Sequence, residues 1–302
     1  MAILVTEKTK VLIQGITGKE GLKALEGMRN YGTDVLAGVT PGKGGGYISN
    51  VPVYNTVREA MQDHPSINAT LLVMPALAVK AAAYEAIQEK IPLLNILTEH
   101  VSVRDTALII AQARKDGVNV IGPSSVGIIS PGIGKMGSIG GENPGRMFRP
   151  GPVGIISKSG GMTSEIAITL NRSGLGQSTV LGIGGDQLIG FDFIDAMKLF
   201  EKDEKTHAIV IFGEVGGTYE EQLAEFIQKE RFKKPIIAII AGRFTSAFPS
   251  GTVFGHAGTI VMRNRGGYES KVSALQKAGV MVVNTLEEIP LLLKKKFYER
   301  MG

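Results

Sequence analysis

His256 lies in Phe254-Gly255-His256-Ala257-Gly258-Thr259, where small neighbours leave an imidazole approachable. It is one of only 4 histidines in 302 residues. The run before it, Gly242 to Gly251, lacks helical or strand periodicity, and the run after it, Met262 to Tyr268, is basic and glycine-containing. His256 is therefore expected on a long exposed loop between two regular elements. Long loops inside compact domains are usually functional or disordered. A nucleophilic imidazole there can take up a phosphoryl group and hand it on. Such a histidine needs a carboxylate on its second ring nitrogen, to fix the tautomer and support the developing positive charge. Glu214, in Gly213-Glu214-Val215-Gly216-Gly217, is the candidate. The same residue also reads as an ordinary acid at a helix start, where it complements the dipole. The chain has 0 cysteines, which excludes disulfides, thiol catalysis and thiolate metal sites, and no metal site is expected.

The elements that position these residues alternate. Lys10 to Gln14 reads as a strand, followed by Gly15-Ile16-Thr17-Gly18-Lys19-Glu20-Gly21, a helix to Tyr31 and a strand over Asp34 to Val39. This is a dinucleotide-type β-α-β opening, in which glycines let the backbone approach phosphate oxygens at a helix N-terminus. The plain alternative is a tight turn with no ligand. The second strand ends Ala37-Gly38-Val39-Thr40, without the acid that nicotinamide enzymes place there. The next loop, Pro41-Gly42-Lys43-Gly44-Gly45-Gly46, carries a cation that suits an extra ribose phosphate, the 3′ group of coenzyme A or the 2′ group of NADP. Its spacing is not that of a P-loop.

Helices over Thr56 to His64, Ala76 to Lys90 and Val101 to Lys115 alternate with strands over Ala69 to Met74, Leu93 to Leu97 and Val118 to Ile121. Such alternation predicts a parallel sheet covered on both faces. Gly122 to Gly151, dense in Gly, Pro and Ser, reads as a domain junction with an excursion too irregular to be core. A second α/β series begins at Val153 and turns at Lys158-Ser159-Gly160-Gly161 into a helix, a second candidate anion cradle or a plain capped helix start. Its strands over Ser178 to Ile183, His207 to Phe212 and Pro235 to Ile240 are followed by Asp186, Glu214 and the His256 loop. These residues are expected at one sheet edge. Two domains follow, 1–130 and 131–302, with 131–151 as junction.

Hydrophobic content of 43% and charged content of 20% are those of a soluble globular protein. No apolar run is long enough to span a bilayer. The N-terminal residues show no basic leader, so a cytoplasmic location is expected. The net charge of +5 is scattered and tryptophan is absent, which argues against nucleic acid and for a polyphosphate ligand. Lys294-Lys295-Lys296 reads as a solvated helical turn.

Together, Gln14-Gly15-Ile16-Thr17-Gly18, Gly38 to Gly45, Gly182-Ile183-Gly184-Gly185-Asp186, Gly213 to Gly217 and Gly255-His256-Ala257-Gly258 resemble the α subunit of the succinyl-CoA synthetase superfamily. The resemblance covers nearly the whole chain, in order. It implies an α/β protein with an N-terminal Rossmann-like CoA-binding domain followed by a flavodoxin-like parallel α/β ligase domain. It implies coenzyme A contacts at Thr17, Gly18, Lys19, Glu20, Lys43, Leu97, Thr98 and Glu99. It implies transient phosphorylation of His256 with Glu214 as partner, in a neighbourhood that includes Ser159, Gly160, Gly161, Asp186, Gly255 and Gly258. ATP and Mg2+ would be bound by a separate ATP-grasp β subunit in a hetero-oligomer.

The departures bear on the acid. The run before the histidine, Phe248 to Phe254, lacks the cations usual in the succinate enzymes. Ser164, in Ser159-Gly160-Gly161-Met162-Thr163-Ser164-Glu165, stands where those enzymes have a tyrosine near the organic acid. These segments, with Gly137 to Gly141 and Phe148 to Gly151, look more like the corresponding part of ATP-citrate lyase. The implied function is the small subunit of a citryl-CoA synthetase, with cleavage of citryl-CoA occurring elsewhere. Succinate is the rival acid. A non-catalytic CoA-binding regulatory module and an NADP dehydrogenase are the readings from other classes.

Overall fold

The computed structural model describes residues 2–230, 232–247 and 265–301. The first series runs β1 (Lys10–Gln14), α1 (Lys19–Asn30), β2 (Asp34–Val39), β3 (Tyr47–Ile48), β4 (Val51–Tyr54), α2 (Val57–Asp63), β5 (Ala69–Leu72), α3 (Ala76–Gln88), β6 (Leu93–Ile96), α4 (Val103–Asp116) and β7 (Asn119–Ile121). The second runs β8 (Gly127–Ser130), β9 (Gly134–Met136), β10 (Pro150–Ser157), α5 (Gly160–Arg172), β11 (Gln177–Gly182), α6 (Phe193–Lys202), β12 (Ala208–Glu214), α7 (Tyr219–Glu230), β13 (Ile236–Ala241), α8 (Tyr268–Lys277), β14 (Met281–Val283) and α9 (Glu288–Met301).

Each series builds one sheet. The first has the order β3-β4-β2-β1-β5-β6-β7, parallel except for the β3–β4 hairpin. The second has the order β14-β13-β12-β10-β11-β8-β9, parallel from β14 to β11 and antiparallel beyond. The central strands are apolar and buried along their length, as a sheet covered on both faces requires. In each sheet the chain leaves a central strand to one side and returns on the other. The reversal falls between β1 and β5 in the first sheet, and between β10 and β12 in the second. Crevices for ligands open at the carboxyl ends of the strands at such points.

One expectation is corrected. The stretch 122–151 is not all irregular: it supplies β8 and β9, with Ile128, Ile129 and Met136 fully buried. Its glycines Gly122, Gly127, Gly137 and Gly140 are close-approach positions rather than loop markers. A Cβ on Gly127, whose φ is +102°, would stand 1.9 Å from the Met136 carbonyl oxygen. The glycine-rich loop after β2 likewise leads into β3 and β4, and β4 joins the first sheet beside β2.

The two sheets share a core. One buried cluster runs from Ile13, Leu25 and Met28 through Ile128 and Met136 to Ile156 and Phe200. Helix α1 joins them directly. Just after it, Thr33 Oγ1 donates to the Lys135 carbonyl at 2.8 Å and accepts from the Lys135 amide at 2.9 Å. Tyr31 Oη accepts from the Gly132 amide at 3.1 Å. Among the described residues, no helix is long and apolar enough to cross a membrane. Lys294-Lys295-Lys296 lies on α9.

Candidate functional site

At the first reversal, the turn from β1 to α1 is pressed against the end of β5. Gly15 has φ +87°, and a Cβ there would stand 2.0 Å from the Val73 carbonyl oxygen. Only glycine fits both the conformation and the approach. Gly18 is the N-cap of α1 and offers no side-chain cap, so the first amides of the helix point toward the crevice without a capping group. Two adjoining cavities meet at Gly18. One, of about 390 Å³, is walled by Thr17, Val39, Pro41, Ala78 and Ala82. The other, of about 590 Å³, runs past Lys19, Glu20, Leu97, Thr98 and Glu99 to Ser125 and Val126. Lys43 is exposed at the rim, and its ammonium donates to Thr17 Oγ1 at 3.4 Å. Thr98 Oγ1 donates to the Met74 carbonyl at 2.8 Å, which fixes the end of β6 beside the end of β5. The eight residues expected to contact coenzyme A thus gather around one crevice. An apolar compartment next to uncapped helix amides, with a lysine at the rim, fits a purine ring, a pyrophosphate and a ribose phosphate.

The longer cavity leads toward the second sheet. Val126, in its wall, packs on Gly160, where a Cβ would meet Val126 Cγ1 at 2.4 Å. Gly160 begins α5, and Ser159 caps it, accepting from the Met162 amide at 3.4 Å. Ser157 Oγ closes the turn by donating to the Ser159 carbonyl at 2.7 Å. Glu214, at the carboxyl end of β12, flanks the same reversal and is only 9% exposed. Asp186 follows β11 and is half-buried. Ser164, one turn into α5, lines a groove of about 470 Å³ with Gly141, Glu142, Asn143, Arg146 and Met147. Gly255, His256 and Gly258 lie outside the described residues. The segment that carries them follows β13 in the chain, and β13 pairs with β12 up to Glu214 itself.

Beneath this edge is a charged group that sequence reasoning missed. Glu220 is 0% exposed; its Oε1 lies 3.1 Å from Lys158 Nζ and its Oε2 bonds to Lys271 Nζ. Burial pushes the Glu220 carboxyl up, but the ammonium groups of Lys158 and Lys271 outweigh it and hold the group below its ordinary value. Lys158 also lies over the Tyr219 ring, 5.4 Å from its centroid. In the sequence, Glu220 and Glu221 look like solvated acids at a helix start; only the packing of α8 on α7 shows otherwise. A separate hollow of about 540 Å³ opens at the amino ends of β13 and β14, near Pro235 and Val280, on the edge opposite Glu214.

The chain matches two family models, one described as CoA binding domain over residues 6–100 and one as CoA-ligase over residues 156–281. It is 44% identical over 293 residues to the succinate–CoA ligase [ADP-forming] subunit alpha 2 of Archaeoglobus fulgidus, covering 97% of this chain and 99% of that one. It is 37% identical to an ADP-forming sulfoacetate-CoA ligase subunit of Bilophila wadsworthia, covering 97% and 99%. Among solved structures, ATP citrate lyase from Methanothrix soehngenii in complex with citrate and coenzyme A superposes with a TM-score of 0.88 at 25% identity. That match covers 97% of this chain but 51% of the other, so this chain spans about half the length of that solved protein. With both domain models matched in order and full-length relatives above 40% identity, this chain belongs to the succinyl-CoA synthetase α-subunit superfamily of CoA ligases.

Proposed function

We propose that this chain is the α subunit of an ADP-forming acid–CoA ligase, and that citrate is the acid it activates. The observation that carries the reaction type is the buried Glu214 carboxylate, set at the strand reversal beside the amides that open α5. In this reading the γ-phosphoryl group of ATP, held with Mg2+ on an ATP-grasp partner subunit, passes to a ring nitrogen of His256 and ADP departs. A carboxylate oxygen of the acid then attacks that phosphorus, the P–N bond breaks and an acyl phosphate forms. The CoA thiolate attacks the acyl carbon, the C–O bond to phosphate breaks, and inorganic phosphate leaves with the thioester. Dividing the reaction through a covalent intermediate replaces one difficult step with easier ones.

The residues of this chain have three tasks. Glu214 accepts the hydrogen bond of the second imidazole nitrogen and so stabilises the charged ring. The first amides of α5, at Gly160 and Gly161, hold phosphoryl oxygens at the positive end of the helix. The crevice between β1 and β5 binds coenzyme A, with Lys43 on its ribose phosphate and the longer cavity guiding the thiol toward Gly160.

Ser164 supports citrate. It leaves the groove beside α5 open where a tyrosine would fill it, and Asn143 and Arg146 line the same groove. An amide and a guanidinium suit the additional carboxylate and hydroxyl of a tricarboxylate. Succinate is the second reading, favoured by the name of the 44%-identical Archaeoglobus relative. Initial rates with citrate and with succinate, measured on the complex with its β subunit, decide between them. Turnover of citrate well above succinate is expected; robust succinate turnover with none on citrate refutes the assignment. Tryptic mass spectrometry after incubation with partner and ATP should find acid-labile phosphate on His256, and its absence refutes the mechanism.

A further inference from the structure

Lys158, Glu220, Glu221 and Lys271 are all buried below the carboxyl edge of the second sheet. They balance, two cations against two anions. Ions are costly to remove from water even in pairs, and apolar side chains of similar volume often serve stability equally well. Stability alone is thus a poor account of the group. What its members hold is more telling.

Lys271 Nζ donates to the Gly216 carbonyl at 2.8 Å, inside the glycine-rich turn that follows Glu214. Glu220 Oε1 accepts from the amide of Glu214 itself at 3.2 Å. Glu221 Oε1 accepts from the Gly266 amide at 2.8 Å and from Ser270 Oγ at 2.7 Å, while its Oε2 faces Lys271 Nζ at 3.8 Å. The Gly216 amide donates to the Gly266 carbonyl at 2.7 Å. A Cβ on Gly266 would stand 2.8 Å from the Gly217 carbonyl oxygen, so the two backbones touch. Gly266 lies where the chain returns from the segment that carries His256. One charged group therefore ties the Glu214 turn to the returning end of the histidine segment.

We infer that Lys271 and Glu221 are positioning residues for phosphoryl transfer, holding the Glu214 turn in fixed register with Gly266, where the chain returns from the segment that carries His256. The inference rests on the phosphohistidine reading above. A carboxylate that must meet an imidazole at one distance and angle gains from a support that cannot shift, because small misplacements of reacting groups are costly in rate. Neither residue lines the CoA crevice.

The test uses the assembled complex with its nucleotide-binding subunit and three variants: Lys271→Met, Glu221→Ala and Glu221→Gln. Single-turnover phosphorylation of His256 from ATP, the KM for CoA and the thermal midpoint are measured for each. Lys271→Met and Glu221→Ala should slow phosphorylation by about tenfold or more, with the KM for CoA within about twofold of wild type. Glu221→Gln keeps an oxygen acceptor for the Gly266 amide and Ser270, and should recover most of the rate. Should Lys271→Met fail to fold, the contrast between the two Glu221 variants decides alone. Wild-type phosphorylation rates in Glu221→Ala overturn the inference, as does a parallel loss of CoA affinity and phosphorylation in a folded variant. A wild-type complex that forms no phosphohistidine overturns the proposed function itself, and that result is visible before any variant is made.

Discussion

Lys135 allows the packing to be tested through its charge. It lies on β9, is 1% exposed, and its ammonium donates to the Gly141 carbonyl at 2.9 Å, against Gly27 of α1. Burial lowers its pKa from 10.5 to about 8. At about 1.36 kcal/mol per pH unit, that displacement costs the folded state roughly 3 kcal/mol, to order of magnitude. The direction follows from proton counting. Below about pH 8 the lysine is protonated folded and unfolded, and the full cost is present. Between about 8 and 10.5 the unfolded chain binds more protons, so this residue makes stability rise with pH across that window. Replacing it by Met removes the cost but leaves the Gly141 carbonyl without its donor, a loss of about 1–2 kcal/mol. The net expectation for Lys135→Met at pH 7 is a gain of about 1–2 kcal/mol, or a few degrees in thermal midpoint at most. The decisive quantity is the difference between variant and wild type measured by scanning calorimetry from pH 7 to 10.5. That difference should shrink steadily above pH 8. A constant difference across the range refutes the argument, because it means the ammonium was never disfavoured by burial.

Three further outcomes are expected. Gly15→Ala sets a Cβ against the Val73 carbonyl at a left-handed φ, and should lower stability by about 2 kcal/mol or more and weaken CoA binding measured by calorimetry. Lys43→Ala should weaken CoA by about tenfold, the worth of a charge-assisted bond, and leave dephospho-CoA unchanged if the lysine meets the ribose phosphate. Ser164→Tyr should lower kcat/KM for citrate by about tenfold or more relative to succinate, and equal effects on both acids would remove Ser164 from substrate choice.

The alternating series was legible because each strand is a short apolar run and each helix carries its own stop. The strand Asp34 to Val39 is found where the sequence placed it, and the helix expected over Ala76 to Lys90 runs from Ala76 to Gln88. The hairpin of β3 and β4 and the pair of β8 and β9 were not legible. They are two to four residues long and crowded by glycine and proline, so periodicity has no length over which to act. Glu214 was legible as a strand-end acid, and the structure puts it at the reversal of the second sheet. Lys271 was not, because a lysine on a helix is nearly always solvated. Its burial depends on an acid 51 positions earlier, a separation no local pattern can reveal.

Helix α1 has a mechanical consequence. Its first residues wall the CoA crevice, while its far end is stitched to β9 through Thr33 and the Gly27–Lys135 contact, and to the turn before β9 through Tyr31. Twelve residues of helix make a rod about 18 Å long. Such a rod carries a push from one end to the other with little loss. The two sheets therefore cannot swing apart as loosely tethered bodies: the strut that would sense the cofactor at one end is also a girder of the second sheet at the other.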